Sequence, residues 1–160
     1  MTGEQTFAYH RSIAPMMWVL VAIASVELLV THLLVALLVG KMVALALSAA
    51  TLAAVIWLVT VIAAMRRLPV LLDDHTLAMR AGSFKQVVVP LTNVAGLRAS
   101  WDAAAVKERT VRNLALISYP NIIVDLKEPL ADRRGTRAIA HRLDDPAAFT
   151  LAVERLIAAR

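Results

Sequence analysis

A chain of 160 residues with 59% hydrophobic side chains, a net charge of +5 and no cysteine is too apolar for an ordinary soluble domain and cannot build a disulfide framework. Its basicity does not require a nucleic-acid partner, because arginines flanking apolar spans and one arginine run in the second half account for it. The apolar residues crowd into the first 65 positions.

Residues 1–13 read as a short N-terminal segment on the cytoplasmic side. Within "AYHRSIAP", Tyr9, His10 and Arg11 stand just before the first apolar run, where aromatic and cationic groups favour a membrane–water interface. With Trp18 they are expected to be interface anchors. From Ala14 to Val39 only Glu27 and His32 can carry charge, and from Met42 to Met65 nothing can. Each stretch exceeds the roughly 20 residues that a hydrocarbon core of about 30 Å demands, so residues 14–67 predict a transmembrane hairpin of two helices. A cleaved signal peptide is not expected, since the first run is longer than an h-region and a second span follows at once. Pro15 suits a first helical turn, Gly40 a helix end, and "GK" at 40–41 a tight apex.

Arg11, Arg66 and Arg67 flank the spans on one side and Lys41 stands alone at the apex. The excess of basic residues predicts a multi-pass protein with both termini cytoplasmic.

Two ionisable groups inside an apolar helix need partners or a task. At about 100° per residue, Thr31 shares a face with Glu27, while His32 lies roughly 140° round from it. Three readings stay open: an interhelical hydrogen bond from Glu27 to Ser48, Thr51 or a second copy; a haem, metal or proton path using Glu27 and His32; and contact with a larger membrane partner. No cofactor is expected outside the second of these. Ala46, Ala50 and Ala54 form a small-residue stripe of the kind that lets helices approach closely, with the first helix of the same hairpin as its expected partner.

Residues 68–160 carry thirteen Lys/Arg and ten Asp/Glu with short apolar runs between turn residues, the pattern of a small α+β domain. "LPVLLDD", "HTLAMRAGS", "KQVVVPL" and "NVAGLRAS" predict four strands, the last two joined by a turn at Thr92 and Asn93. "NIIVDLKEP" alternates, with Ile122, Val124 and Leu126 on one face and Ile123, Asp125 and Lys127 on the other. "TRAIAHRL" should pair with it across "LADRRG". Residues 102–113 suit either a short helix or an insertion. A closing helix starts at Asp145 as N-cap and Pro146 as first residue, and Phe149, Val153, Leu156 and Ile157 make its apolar stripe. That stripe should cover the open side of the sheet.

The segments "SFKQVVVPLTNVAGLRAS" and "YPNIIVDLKEP", followed by "LDDPAAFTLAVERLIAAR", resemble bacterial pleckstrin-homology-like domains carried on paired membrane helices. The resemblance covers residues 68–160 and implies an antiparallel sheet or partial barrel closed by a C-terminal helix, with residues 101–118 replacing or omitting one strand. It implies an accessory or assembly protein of the bacterial inner (cytoplasmic) membrane rather than an enzyme. Phosphoinositide binding is not carried over, since only Arg80 and Lys85 flank "AGSF".

His75 and His141 lack zinc-type spacing and read as solvated or sheet-edge residues. Asp73/Asp74 suit a turn, and Asp144/Asp145 a helix cap. No catalytic residue is assigned. Arg133, Arg134, Arg137 and Arg142 form the strongest basic run, a solvated hairpin or a patch for anionic lipid or an acidic partner. The expected partners are the bilayer and other membrane subunits or a second copy, and the alternative function is a small homo-oligomeric transporter, channel or carrier built on Glu27 and His32.

Overall fold

A computed structural model describes residues 4–11, 13–83, 85–116 and 118–159; Met1, Thr2, Gly3, Ser12, Phe84, Ile117 and Arg160 lie outside the described residues. Strand β1 (Gln5–Phe7) precedes two long helices, α1 (Ala14–Leu38) and α2 (Lys41–Arg67). Strands β2 (Val70–Leu72), β3 (Thr76–Ala81), β4 (Lys85–Pro90) and β5 (Val94–Leu97) follow, then helix α3 (Ala103–Lys107), strands β6 (Val111–Asn113), β7 (Ile122–Leu126) and β8 (Ala138–His141), and helix α4 (Pro146–Ala158). The segment before α1 joins residues 65–160 in one compact unit, and residues 13–64 form the other.

In the hairpin, Pro15 falls in the first turn of α1 as expected. Val35 O accepts the N–H groups of Val39 and Gly40, and Gly40 takes φ +131°, a conformation that only glycine adopts without strain. Both helices are long and apolar enough to cross a membrane. They leave apolar side chains uncovered, with Leu37, Leu38 and Met42 80% or more exposed.

The other unit holds two four-stranded sheets, ordered β1-β2-β3-β4 and β5-β7-β8-β6. In the first, all neighbours are antiparallel, and Phe7 pairs with Val70, Thr6 with Leu71 and Gln5 with Leu72. The chain therefore enters and leaves the hairpin from adjacent strands of one sheet. Within the N-terminal segment, Gln5–Phe7 form an edge strand of this sheet. Three residues with one half-buried side chain carry too little pattern to be read as a strand.

In the second sheet β6 runs parallel to β8, while β5–β7 and β7–β8 are antiparallel. Ile122, Val124 and Leu126 are buried as their alternation predicts, but so is Ile123 on the opposite face. It clusters with Val111, Ala138 and Ala140 beneath Trp101 and Val106. Residues 102–113 are thus a short helix over this second face, capped where Asp102 Oδ1 accepts the Ala105 N–H at 2.8 Å, followed by a strand that extends the sheet beyond β8. Beside that cluster, Arg98 and Asp125 pair through two hydrogen bonds of 2.6 and 3.2 Å.

The closing helix starts where expected. Asp145 Oδ1 accepts the Ala148 N–H at 2.9 Å, a cap that satisfies one of the free donors of a first turn. Phe149 and Val153 are fully buried, and the Phe149 ring meets Phe7 edge-on at 5.1 Å. The carboxyl of Asp73 accepts from the His75 and Thr76 backbone and the Thr76 hydroxyl. These bonds form the turn expected there and hold the carboxyl below the usual aspartate range.

Candidate functional site

The polar groups of the hairpin are sorted onto different faces. His32 Nδ1 lies 2.7 Å from Ser48 Oγ, joining α1 to α2. Leu28, His32, Ser48 and Ala49 line a shallow groove between the helices. Thr51 turns back on its own helix and donates to Leu47 O at 3.1 Å. Glu27 is exposed on a strip of α1 with Ala22, Ile23, Val26, Val30 and Thr31. The bond to Ser48 is therefore made by His32 rather than Glu27, and the two ionisable groups do not converge, as their angular separation on one helix requires.

The small-residue stripe points elsewhere than expected. Between Lys41 and Leu58 of α2 the less exposed positions are Ala44, Ser48, Thr51, Val55 and Leu58, spaced alternately by four and three as in a helix-packing seam. Ala46 and Ala50 each stand two residues, about 200°, from Ser48, and Ala46, Ala50 and Ala54 are all exposed. The stripe does not serve the hairpin's own pairing.

Tyr9 is not an interface anchor. It is fully buried, its hydroxyl accepts the Gly82 N–H at 2.6 Å, and burial pushes its phenol above the usual tyrosine value. Arg11 is exposed, and its backbone N–H donates to Asp144 Oδ2 at 3.0 Å; His10 is half-buried. Trp18 is exposed near the start of α1, a position that suits an anchoring ring.

His141 is likewise neither solvated nor at an edge. It is buried in a strand flanked on both sides. Its Nδ1 accepts the Arg142 N–H at 2.7 Å, so its Nε2 carries the proton and donates to Arg80 O at 2.7 Å. Desolvation pushes its imidazole below the usual histidine value. His75 is exposed, as expected.

The basic run divides. Arg133 and Arg134 are exposed in the β7–β8 turn and Arg137 is exposed just before β8, whereas Arg142 follows β8. At about 3.3 Å per strand residue, Arg137 and Arg142 stand roughly 17 Å apart. The Arg142 guanidinium donates to Tyr119 O at 3.1 Å. The turn itself is pinned by Asp132, whose carboxyl accepts from the Thr136 hydroxyl at 2.6 Å, the Thr136 backbone at 3.0 Å and the Arg134 backbone at 3.2 Å. These bonds hold its carboxyl below the usual range. Arg112, outside the run in sequence, reaches the same carboxylate at 3.5 Å. Only a cross-strand register, invisible in one chain segment, places it there.

No family model, curated protein or solved structure matches this chain.

Proposed function

We propose that the chain is an integral membrane accessory subunit: a two-span anchor carrying a pleckstrin-homology-like module that binds or helps assemble a larger membrane protein complex. The observation that carries this reading is the strand pair β1–β2. Because Phe7 opposes Val70, the two flanks of the hairpin belong to one folded domain and lie in one compartment, so the hairpin crosses twice or not at all. The uncovered apolar surface of α1 and α2 favours crossing, since soluble chains rarely expose patches of that extent. Arg11, Arg66 and Arg67 against Lys41 favour the cytoplasm as the compartment of both termini, and the resemblance points to a bacterial inner membrane.

Two sheets closed by a C-terminal helix support the pleckstrin-homology-like reading. The exposed Arg133, Arg134 and Arg137 offer the module a basic edge for anionic lipid or an acidic partner. A carrier built jointly on Glu27 and His32 is disfavoured, because His32 is directed to Ser48 and Glu27 to another face.

Purification of the tagged full-length chain from its native membranes in mild detergent tests the proposal. Co-purification of defined foreign subunits in fixed stoichiometry is expected. A homo-oligomer carrying bound metal or haem, lost on Glu27→Ala or His32→Ala, would overturn it.

A further inference from the structure

Most serine, threonine and histidine side chains of the hairpin find a partner within it. Ser25 donates to Val21 O at 2.7 Å, Thr51 to Leu47 O at 3.1 Å and Thr60 to Trp57 O at 2.6 Å, while His32 and Ser48 meet each other. Among the described residues, Glu27 and Thr31 alone of this set have no hydrogen bond or ion pair. They stand one turn apart on the same face of α1, in a strip otherwise lined by Ala22, Ile23, Val26 and Val30. Glu27 falls close to midway between Ala14 and Leu38. If α1 spans a bilayer, the carboxyl lies near its centre, where an unpaired ionisable group is costly and calls for a partner.

The hairpin holds no complement for it. Between Ile13 and Ala64 the only cationic or titratable nitrogens are those of His32 and Lys41. His32 is directed to Ser48 on another face, and Lys41 lies about 21 Å further along the hairpin at 1.5 Å per residue. A second copy brings the same inventory, and parallel pairing through this strip would set carboxyl against carboxyl. Charge complementarity therefore selects a different kind of partner.

We infer that the Glu27–Thr31 strip of α1 is the docking surface for a transmembrane helix of another membrane protein, one that carries lysine or arginine at mid-membrane depth. Glu27 pairs with the cation, Thr31 supplies a hydroxyl to the same polar contact, and Ala22 lets the two backbones approach. This inference rests on the membrane-anchor reading above and names the chemistry of its partner.

The test uses the full-length chain in lipid vesicles with synthetic transmembrane helices of roughly 20 residues, identical except for one central residue, lysine or leucine. The chain has no native cysteine, so a single dye at Glu4→Cys reports energy transfer to a labelled helix. The lysine helix should associate about tenfold more strongly than the leucine helix, the value of one good interhelical polar contact. That preference should vanish in Glu27→Leu, fall partway in Glu27→Gln and weaken in Thr31→Val. Equal association of both helices overturns the inference. So does chain-to-chain energy transfer lost in Glu27→Leu, which would make a second copy the occupant. An impermeant maleimide applied to Lys41→Cys in the same vesicles separates the two levels: a hairpin that fails to cross defeats the anchor reading along with this one, whereas a crossing hairpin without lysine preference defeats this one alone.

Discussion

The Tyr9 hydroxyl accepts the Gly82 backbone N–H at 2.6 Å, across 73 positions of sequence, and its ring lies 5.0 Å from that of His141. A residue that precedes the first apolar helix is thus a core residue of a domain built mostly after the second. Tyr9→Phe should cost about 1–3 kcal/mol, because a buried donor loses its acceptor while the ring stays. Tyr9→Ala should cost about 3–5 kcal/mol, as large aromatic truncations do. Chemical denaturation of the full chain in mild detergent measures both; equal, negligible losses would place Tyr9 outside the core.

His141 makes the domain sensitive to acid. Its folded-state value is depressed by burial below 6.5, so as pH falls through the unfolded value the unfolded chain takes up a proton that the folded domain resists. The stability contributed by the neutral ring is present above about pH 6.5 and is lost as pH drops below it. Denaturation midpoints measured between pH 8 and 5 should decline on the acid side, and the decline should flatten in His141→Gln. An unchanged slope in that variant would assign the acid sensitivity to other groups.

Helix α2 offers a pair of contrasting alanines. Ala44 is fully buried and Ala50 is exposed. Ala44→Leu should destabilise the hairpin by about 1–3 kcal/mol through overpacking, whereas Ala50→Leu should leave it within about 0.5 kcal/mol. Ser48→Ala, which removes the partner of His32, should cost about 0.6–2 kcal/mol. Unfolding of the hairpin in bicelles reports all three, and a larger effect at Ala50 than at Ala44 would reverse the assignment of faces.

Each miss in the sequence reading has a physical source. The two long apolar helices, the apex between them and the Asp145–Pro146 helix start are legible because each rests on local chemistry: length, a glycine conformation, a side-chain cap. Alternation sets Ile123 on the same face as Asp125 and Lys127, and its burial there comes from α3, whose Val106 packs against it from outside the strand. Tyr9 looked interfacial because its neighbours in sequence border the hairpin, while its neighbours in space, Gly82 and His141, lie far along the chain. The Ala46, Ala50 and Ala54 spacing showed that a close approach is permitted, but spacing alone does not say which face the partner occupies. Which polar group would reach Ser48 depended on helix rotation, and the rotation brought His32 to it rather than Glu27.

The strand register also makes a covalent prediction. Thr6 and Leu71 are direct partners across β1 and β2, and such pairs stand about 4.5–5.5 Å apart at Cα, within disulfide range. In a chain without cysteine, Thr6→Cys with Leu71→Cys should form an intramolecular bond under mild oxidation. The faster band on a non-reducing gel checks it, and Thr6→Cys with Val88→Cys, three strand spacings or about 14 Å apart across the same sheet, serves as the control that should not close.

The central claim is that one folded domain holds both flanks of a hairpin that crosses the membrane twice. Single cysteines at Glu4, Lys85 and Lys41, labelled with an impermeant maleimide in sealed vesicles of known orientation, test it directly. The account predicts that positions 4 and 85 react from the same side and position 41 only from the opposite one. Labelling of 4 and 85 from opposite sides, or of all three from one side, would contradict it.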